Sequence, residues 1–245
     1  MLEYLLAGVL QGIFEWLPIS SEGITILFLN FFGLKKINPL DFSLFLHLGT
    51  LLALIFYFKK DWQDIILLKN KKLLDFLIKS TIVSLIVGFP LYKLIKSLIL
   101  GKIILLIIGI FLLLTAFFNR LLKIKKKVPE KFLPFFAGFF QGLSVIPGLS
   151  RSASTFFALS FSDLSLSEIL KISYLMSAPV IFISSLYLFI KSYLFFNFSV
   201  FFSLILSFLF GLFTLGFLMK ISQKINFFYF CLFFGLLSIF GFFLS

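Results

Sequence analysis

Charge is scarce in this chain. Of its 245 residues only 13% are Asp, Glu, Lys or Arg, against 61% hydrophobic, and the mean hydropathy is +1.15. A water-soluble domain of this length needs far more polar surface, so a soluble globule is excluded. Cysteine is scarcer still: Cys231, inside an apolar run, is the only one, which excludes an intramolecular disulfide and a cysteine metal cluster. It reads as lipid-facing or core filler. His47 is the only histidine, so no paired-histidine metal site can form, and the absence of a Walker-type loop argues against a nucleotide-driven engine. The segment Met1 to Leu10 lacks a basic n-region and carries Glu3, unlike a cleavable signal peptide. Short alternating segments of the β-barrel kind are missing as well.

What is present is a series of long apolar runs: Phe42 to Phe58, Ile103 to Phe118, Ile172 to Ile190, Phe198 to Leu218 and Phe227 to Leu244. Each approaches the roughly 20 residues that carry a helix across about 30 Å of hydrocarbon. The expected class is therefore an all-α integral membrane protein. The formal charge of +12 is concentrated in the connections, at Lys59, Lys60, Lys69, Lys71 and Lys72, then at Arg120, Lys123, Lys125, Lys126, Lys127 and Lys131. Such clusters mark cytoplasmic loops that meet anionic lipid headgroups. No basic stretch is interleaved with aromatics on a soluble surface, so nucleic acid is not an expected partner.

Ala7-Gly8-Val9-Leu10-Gln11-Gly12 recurs 130 residues later as Ala137-Gly138-Phe139-Phe140-Gln141-Gly142. After a one-residue slip, Pro18-Ile19-Ser20-Ser21 answers Pro147-Gly148-Leu149-Ser150. Both copies run from an apolar half-helix into helix-breaking, hydrogen-bonding residues. With loops 59–72 and 120–134 both cytoplasmic, spans near 73–93 and 103–119 join through an outside loop near Lys96, and the span near 40–58 begins outside. The first 33 residues and residues 134–162 are each too few for two crossings. They are expected to enter and leave on one face as re-entrant hairpins. Three spans follow the second hairpin, with Lys220 and Lys224 inside; Lys35 and Lys36 fall outside, against the charge rule. Each half is then one re-entrant helical hairpin plus three transmembrane helices, and the odd number of crossings inverts the second half. The expected organisation is one polytopic membrane domain over 1–245: repeat one at 1–119, a basic loop at 120–134 and repeat two at 135–245. Pro90 and Pro179 read as helix kinks rather than tips.

Broken helices in such repeats meet near the midplane, where half-helix N-termini face an anionic ligand. Gln11 and Glu15 lie i to i+4 on one helical face, just before Pro18. A carboxylate at that depth needs a partner, water or a cation. Ser20 reads as a helix cap. Ser21 is open between a cap and a nucleophile, and Glu22 follows it. In the second copy Arg151, one of only two arginines against twenty lysines, is flanked by Ser150, Ser152 and Thr155. A guanidinium so placed either clamps phosphate oxygens or pairs with Glu15. His47 reads first as a packed helix–helix contact rather than part of the site.

Gln11-Gly-Ile-Phe-Glu15-Trp-Leu-Pro18-Ile-Ser20-Ser21-Glu22-Gly23 and Pro147-Gly-Leu-Ser150-Arg151-Ser152-Ala-Ser-Thr155 resemble the hairpin motifs of the undecaprenyl-diphosphate phosphatases, the bacitracin-resistance family. With the His-Leu-Gly-Thr segment at 47–50 and the run of spans, the resemblance covers essentially the whole chain. It implies six spans and two re-entrant hairpins in an inverted repeat. It also implies hydrolysis of undecaprenyl (polyprenyl) diphosphate to the monophosphate, recycling the lipid carrier of the cell envelope and giving bacitracin resistance. By motif position, Ser21 is the nucleophile, Glu15 a metal ligand or proton-handling carboxylate, and Arg151 the diphosphate clamp. Gln11, Ser20, Ser150, Ser152 and Thr155 would line the substrate. A divalent cation, Mg²⁺ or else Ca²⁺, would assist at Glu15, with Glu22 as a further ligand. The implied location is the cell membrane, the implied partners are the lipid substrate and membrane lipids, and a homodimer is compatible with the pattern. Two departures stand out: family members carry a second glutamate where this chain has Gln11, and a histidine where it has Ile24. They leave a carboxylate, Glu15, as the expected proton-handling group beside Ser21. The competing readings are a non-hydrolytic polyprenyl-phosphate transporter or flippase and a scaffold without turnover.

Overall fold

A computed structural model describes residues 2–17, 19–32, 38–98, 103–120, 127–191, 198–221 and 227–244. Pro18, Lys35, Lys36, Lys123, Lys125, Lys126 and Lys224 lie outside them, as do the side chains of Lys96, Arg120 and Cys231. Among the described residues every regular element is a helix. In chain order these are α1 (Leu2–Phe14), α2 (Ser21–Phe31), α3 (Pro39–Tyr57), α4 (Lys59–Ile66), α5 (Lys71–Leu98) and α6 (Ile103–Arg120). They continue with α7 (Leu133–Leu143), α8 (Arg151–Leu159), α9 (Leu166–Lys191), α10 (Phe198–Ile221) and α11 (Phe227–Leu244).

Helices α3, α5, α9 and α10 are long and apolar enough to cross a membrane, and the chain is a multi-pass membrane protein. Helices α6 and α11, 18 residues each, pack along one another. By contrast α1, α2, α7 and α8 have 13, 11, 11 and 9 residues. At about 1.5 Å per residue none exceeds about 20 Å, short of the hydrocarbon thickness. Pro90 and Pro179 sit inside α5 and α9, away from the helix ends.

The packing repeats with the halves exchanged: α1 lies on α10 as α7 lies on α5, while α3 meets α9 and α6 meets α11. The recurring Ala-Gly-x-x-Gln-Gly now has a physical cause. A Cβ on Gly8 or Gly12 would come within 3 Å of the carbonyl oxygen of Ser203 or Ser207 on α10; one on Gly138 or Gly142 would meet Ser80 or Ser84 on α5 the same way. Both partner pairs are serines four residues apart, so small residues from two helices mesh on one stripe in each half, the packing that brings apolar helices together in lipid. Hydrogen bonds cross these seams, Ser84 Oγ to Gly138 O at 3.0 Å and Thr214 Oγ1 to Gly12 O at 2.7 Å. Close backbone contact thus seats α1 on α10 and α7 on α5.

The basic connections are tied together. Lys72 Nζ reaches Glu130 Oε1 at 2.9 Å, Lys171 Nζ reaches Asp61 Oδ1 at 2.5 Å, and Lys127 pairs with Asp163. Segments 59–72 and 127–131 therefore share one end of the molecule.

Candidate active site

The two tips meet. Ser20 caps α2 by accepting from Gly23 N at 3.1 Å, and Ser150 caps α8 by accepting from Ala153 N at 3.2 Å. These caps are 130 residues apart, so the spacing of the recurring motif carries through the tips. The one-residue slip drawn from Pro18 and Pro147 is corrected accordingly: Ser20 answers Ser150, and Ser21 answers Arg151. Gly148 N donates to Ser20 Oγ at 3.1 Å and Ser152 Oγ donates to Leu17 O at 2.6 Å, joining tip to tip. Gly148 has φ +98°, and a Cβ there would strike the backbone at Ile108 on α6, so the turn requires glycine. Thr115 on α6 fastens the same turn, donating to Gly148 O at 3.1 Å and accepting from Ser150 N at 3.0 Å.

Glu15 lies one residue beyond α1, buried at 4% exposure. Its Oε1 meets Arg151 Nη2 at 2.5 Å. Its Oε2 accepts from Gln11 Nε2 at 2.7 Å and Ser21 Oγ at 2.9 Å, and meets His47 Nε2 at 3.1 Å. A buried carboxylate is tolerable only with such partners, and here the Arg151 guanidinium, the His47 imidazole, an amide and a hydroxyl surround it. The next residue is locked from both sides: buried Trp16 donates Nε1–H to Gly211 O at 2.7 Å, and Tyr174 Oη donates to Trp16 O at 2.8 Å.

The other expected site residues fall into two groups. Gln11, Ser21 and Arg151 touch Glu15 directly. The hydroxyls of Ser20, Ser150, Ser152 and Thr155 hold the tips themselves: the first two cap helices, Ser152 bonds Leu17 O, and Thr155 Oγ1 bonds Arg151 O at 2.9 Å and the Ser173 hydroxyl. Glu22 is buried, and its Oε1 has no partner among the described residues. Ile24 is buried against Ile19 and Ala116, so position 24 faces an apolar cluster.

His47 was expected outside the site, and the structure corrects that. Its imidazole reaches Glu15 from α3, while Nδ1 lies 2.9 Å from Ser43 O. A sequence signal existed: Ser43, His47 and Thr50 recur at helical spacing in an otherwise apolar run, marking one polar stripe.

A cavity of about 230 Å³ opens beside this cluster. Glu22, His47 and Arg151 line it together with Ser84, Gln141, Ser144 and Ser184; most of the remaining wall is apolar, with Leu44, Leu85, Phe89, Val145, Ile181 and Leu188, and Tyr92 and Tyr187 beside them. Among the described residues, Nε and Nη1 of Arg151 are buried and have no partner, and the same holds for Oε1 of Gln11. An arginine lining a cavity of mostly apolar walls suits an amphiphile with an anionic head.

Among the described residues, no three or more His, Cys, Asp and Glu side chains form a metal cluster. The idle acceptors, Glu22 Oε1 and Gln11 Oε1, are hard oxygens of the type that bind Mg²⁺ or Ca²⁺. Magnesium is commonly held by one or two carboxylates together with substrate phosphates, and this donor set fits that use rather than an all-protein cage.

Residues 4–240 match the family described as bacitracin resistance protein BacA. The chain belongs to that family. Its relatives include the undecaprenyl-diphosphatase of Methanococcoides burtonii, 33% identical over alignment of 99% of this chain and 98% of the relative. The undecaprenyl-diphosphatase of Methanothrix thermoacetophila is 32% identical, covering 97% and 95%. That of Methanococcus vannielii is 35% identical, covering 98% and 99%. Similarity at full length places both hairpins of this chain within the family's matched region.

Proposed function

We propose that this chain is an undecaprenyl-diphosphate phosphatase, hydrolysing the lipid diphosphate to the monophosphate and inorganic phosphate and so conferring bacitracin resistance. The observation that carries the reading is the Ser21–Glu15–Arg151 cluster, with Arg151 also lining a largely apolar cavity. It agrees with the names of the full-length relatives.

In the mechanism, Arg151, which lines the cavity, binds the diphosphate and faces the charge that develops on the transferred phosphoryl group. Ser21 Oγ attacks the terminal phosphorus as its proton passes to Glu15 Oε2, 2.9 Å away. The anhydride bond breaks and the lipid monophosphate leaves. Water then attacks the phosphoserine and inorganic phosphate departs, with Ser21 Oγ reprotonated. A divalent cation held at Glu22 and Gln11 would supply charge neutralisation for the phosphates. Glu15 would join as a ligand only by giving up a present partner, since both of its oxygens are engaged. The hydroxyls of Ser150 and Ser152, 3.1 Å apart, support this site by holding the second tip, one as the cap of α8 and the other on Leu17 O.

The same reading places the chain in the cell membrane as an inverted repeat, with α1–α2 and α7–α8 as re-entrant hairpins and α6 and α11 completing six spans. The exchanged packing of the halves and the shared end of the basic segments support it. In a Cys231→Ser background, single cysteines at Lys69 and Lys127 are expected to resist impermeant thiol reagents in intact cells; labelling from opposite sides would contradict it. Activity is tested by phosphate release from undecaprenyl diphosphate by purified protein, with and without Mg²⁺. Release above a Ser21→Ala control is expected. Movement of labelled lipid across liposomes with no release would contradict the phosphatase reading.

A further inference from the structure

The bonds around Glu15 differ in what stands behind them. Gln11 belongs to α1, the same half-helix that leads into Glu15, and it shifts whenever Glu15 shifts. Arg151 holds Oε1, but on the phosphatase reading it is also the group that engages the diphosphate, so its grip on Glu15 changes when substrate arrives. Ser21 is the group to be acted on. Among the described residues His47 is the remaining side chain on Glu15, and it comes from outside both hairpins.

Its platform is rigid. Ser43 O only accepts, so Nδ1 donates to it at 2.9 Å and fixes the ring against its own helix; with Nδ1–H so used, Nε2 donates to the Glu15 carboxylate as the second N–H of the imidazolium. Thr50 Oγ1 donates to His47 O at 3.0 Å, and Ser207 Oγ on α10 donates to Leu46 O at 2.9 Å. Gly49 permits α3 and α10 to touch there, since a Cβ on it would come within 3 Å of Leu204 O. The imidazole is therefore braced on two long helices, with only 12% of its side chain exposed.

We infer that His47 is a positioning residue: it holds Oε2 of Glu15 toward the Ser21 hydroxyl after Arg151 has engaged the diphosphate. This rests on the phosphatase reading above. Because the hold matters once substrate is bound, its loss falls on kcat more than on KM. Misplacing a reacting group by about 1 Å costs about 100-fold.

The test compares His47→Leu, which keeps bulk but has no donor, with His47→Gln, whose amide restores one. Phosphate release is measured over a range of undecaprenyl diphosphate concentrations. In parallel, labelling of Ser21 by a fluorophosphonate is followed by mass spectrometry, which needs no lipid turnover. His47→Leu is expected to lower kcat and the labelling rate by about 10- to 100-fold with KM within about threefold of the parent, and His47→Gln to recover most of the loss. If His47→Leu fails to fold, as judged by melting in detergent, His47→Asn replaces it, since its shorter amide does not reach Glu15. A kcat within threefold of the parent for the donorless variant would overturn the inference, as would equal losses in the Gln and Leu variants at parental stability. A parent that labels at Ser21 but releases no phosphate sinks the phosphatase reading and leaves the labelling comparison to decide the role of His47. A parent that does not label at Ser21 overturns that role as well.

Discussion

One residue beyond its capping serine, the first hairpin carries Ser21 and then Glu22, whereas the second carries Arg151 and then Ser152. The position that answers Glu15 at the recurring spacing is Val145, part of the cavity wall. Below the tips the two hairpins are nearly interchangeable: Gly8 and Gly12 seat on Ser203 and Ser207 as Gly138 and Gly142 seat on Ser80 and Ser84. The contrast shows a division of labour. The recurring residues seat α1 on α10 and α7 on α5, and the differing residues at the tips put the acid and the hydroxyl on one side and the cation on the other. Neither hairpin alone offers a nucleophile, a carboxylate and a guanidinium.

The largest effects should come from residues in which the hairpins differ. Replacing Glu15 by Gln removes the proton acceptor of Ser21 in a nearly isosteric way, and kcat is expected to fall about 10²- to 10⁴-fold while the protein still folds and binds polyprenyl phosphate. Arg151→Lys keeps the charge and loses the planar fork. Turnover with substrate below saturation should drop about 30- to 1000-fold, the effect of removing about 2–4 kcal/mol of transition-state hydrogen bonding. Parental turnover in either variant would erase the proposed division.

Where the hairpins agree, substitutions should act alike and on stability. Gly8→Ala and Gly138→Ala each force a Cβ against a serine backbone, with a loss of about 1–3 kcal/mol each, read as matched drops in melting temperature in detergent. A large drop for one and none for the other would break the structural equivalence of the two seams. At the small end lies Lys72→Ala. Its pairing with Glu130 is exposed on both sides, and no measurable change in melting temperature or turnover is expected.

Much of this was legible beforehand, for definite reasons. Segments too short to cross twice announced the short helices, and the lysines of 59–72 and 127–131 announced a common end, since both depend on chain length and charge alone. The Gly motif was visible as a repeat, but its cause was hidden: serine is common, and the partners Ser80, Ser84, Ser203 and Ser207 are distant in sequence. Aligning the tips on their prolines misplaced Ser21 opposite Ser150, because the helix start is set by the capping serine. His47 was missed because a lone histidine in an apolar helix has no local mark of what it touches; only the packing of α3 beside the first tip brings it to Glu15.

The claim that one site is built from both hairpins is tested most directly by a double-mutant cycle on kcat/KM for phosphate release, using Glu15→Gln, Arg151→Lys and the two combined. Groups that act as one unit lose little more when the second is removed after the first. The combined variant is therefore expected to be within about threefold of Glu15→Gln alone. Losses that simply multiply would mean that Glu15 and Arg151 act independently, and would contradict a site shared between the two hairpins.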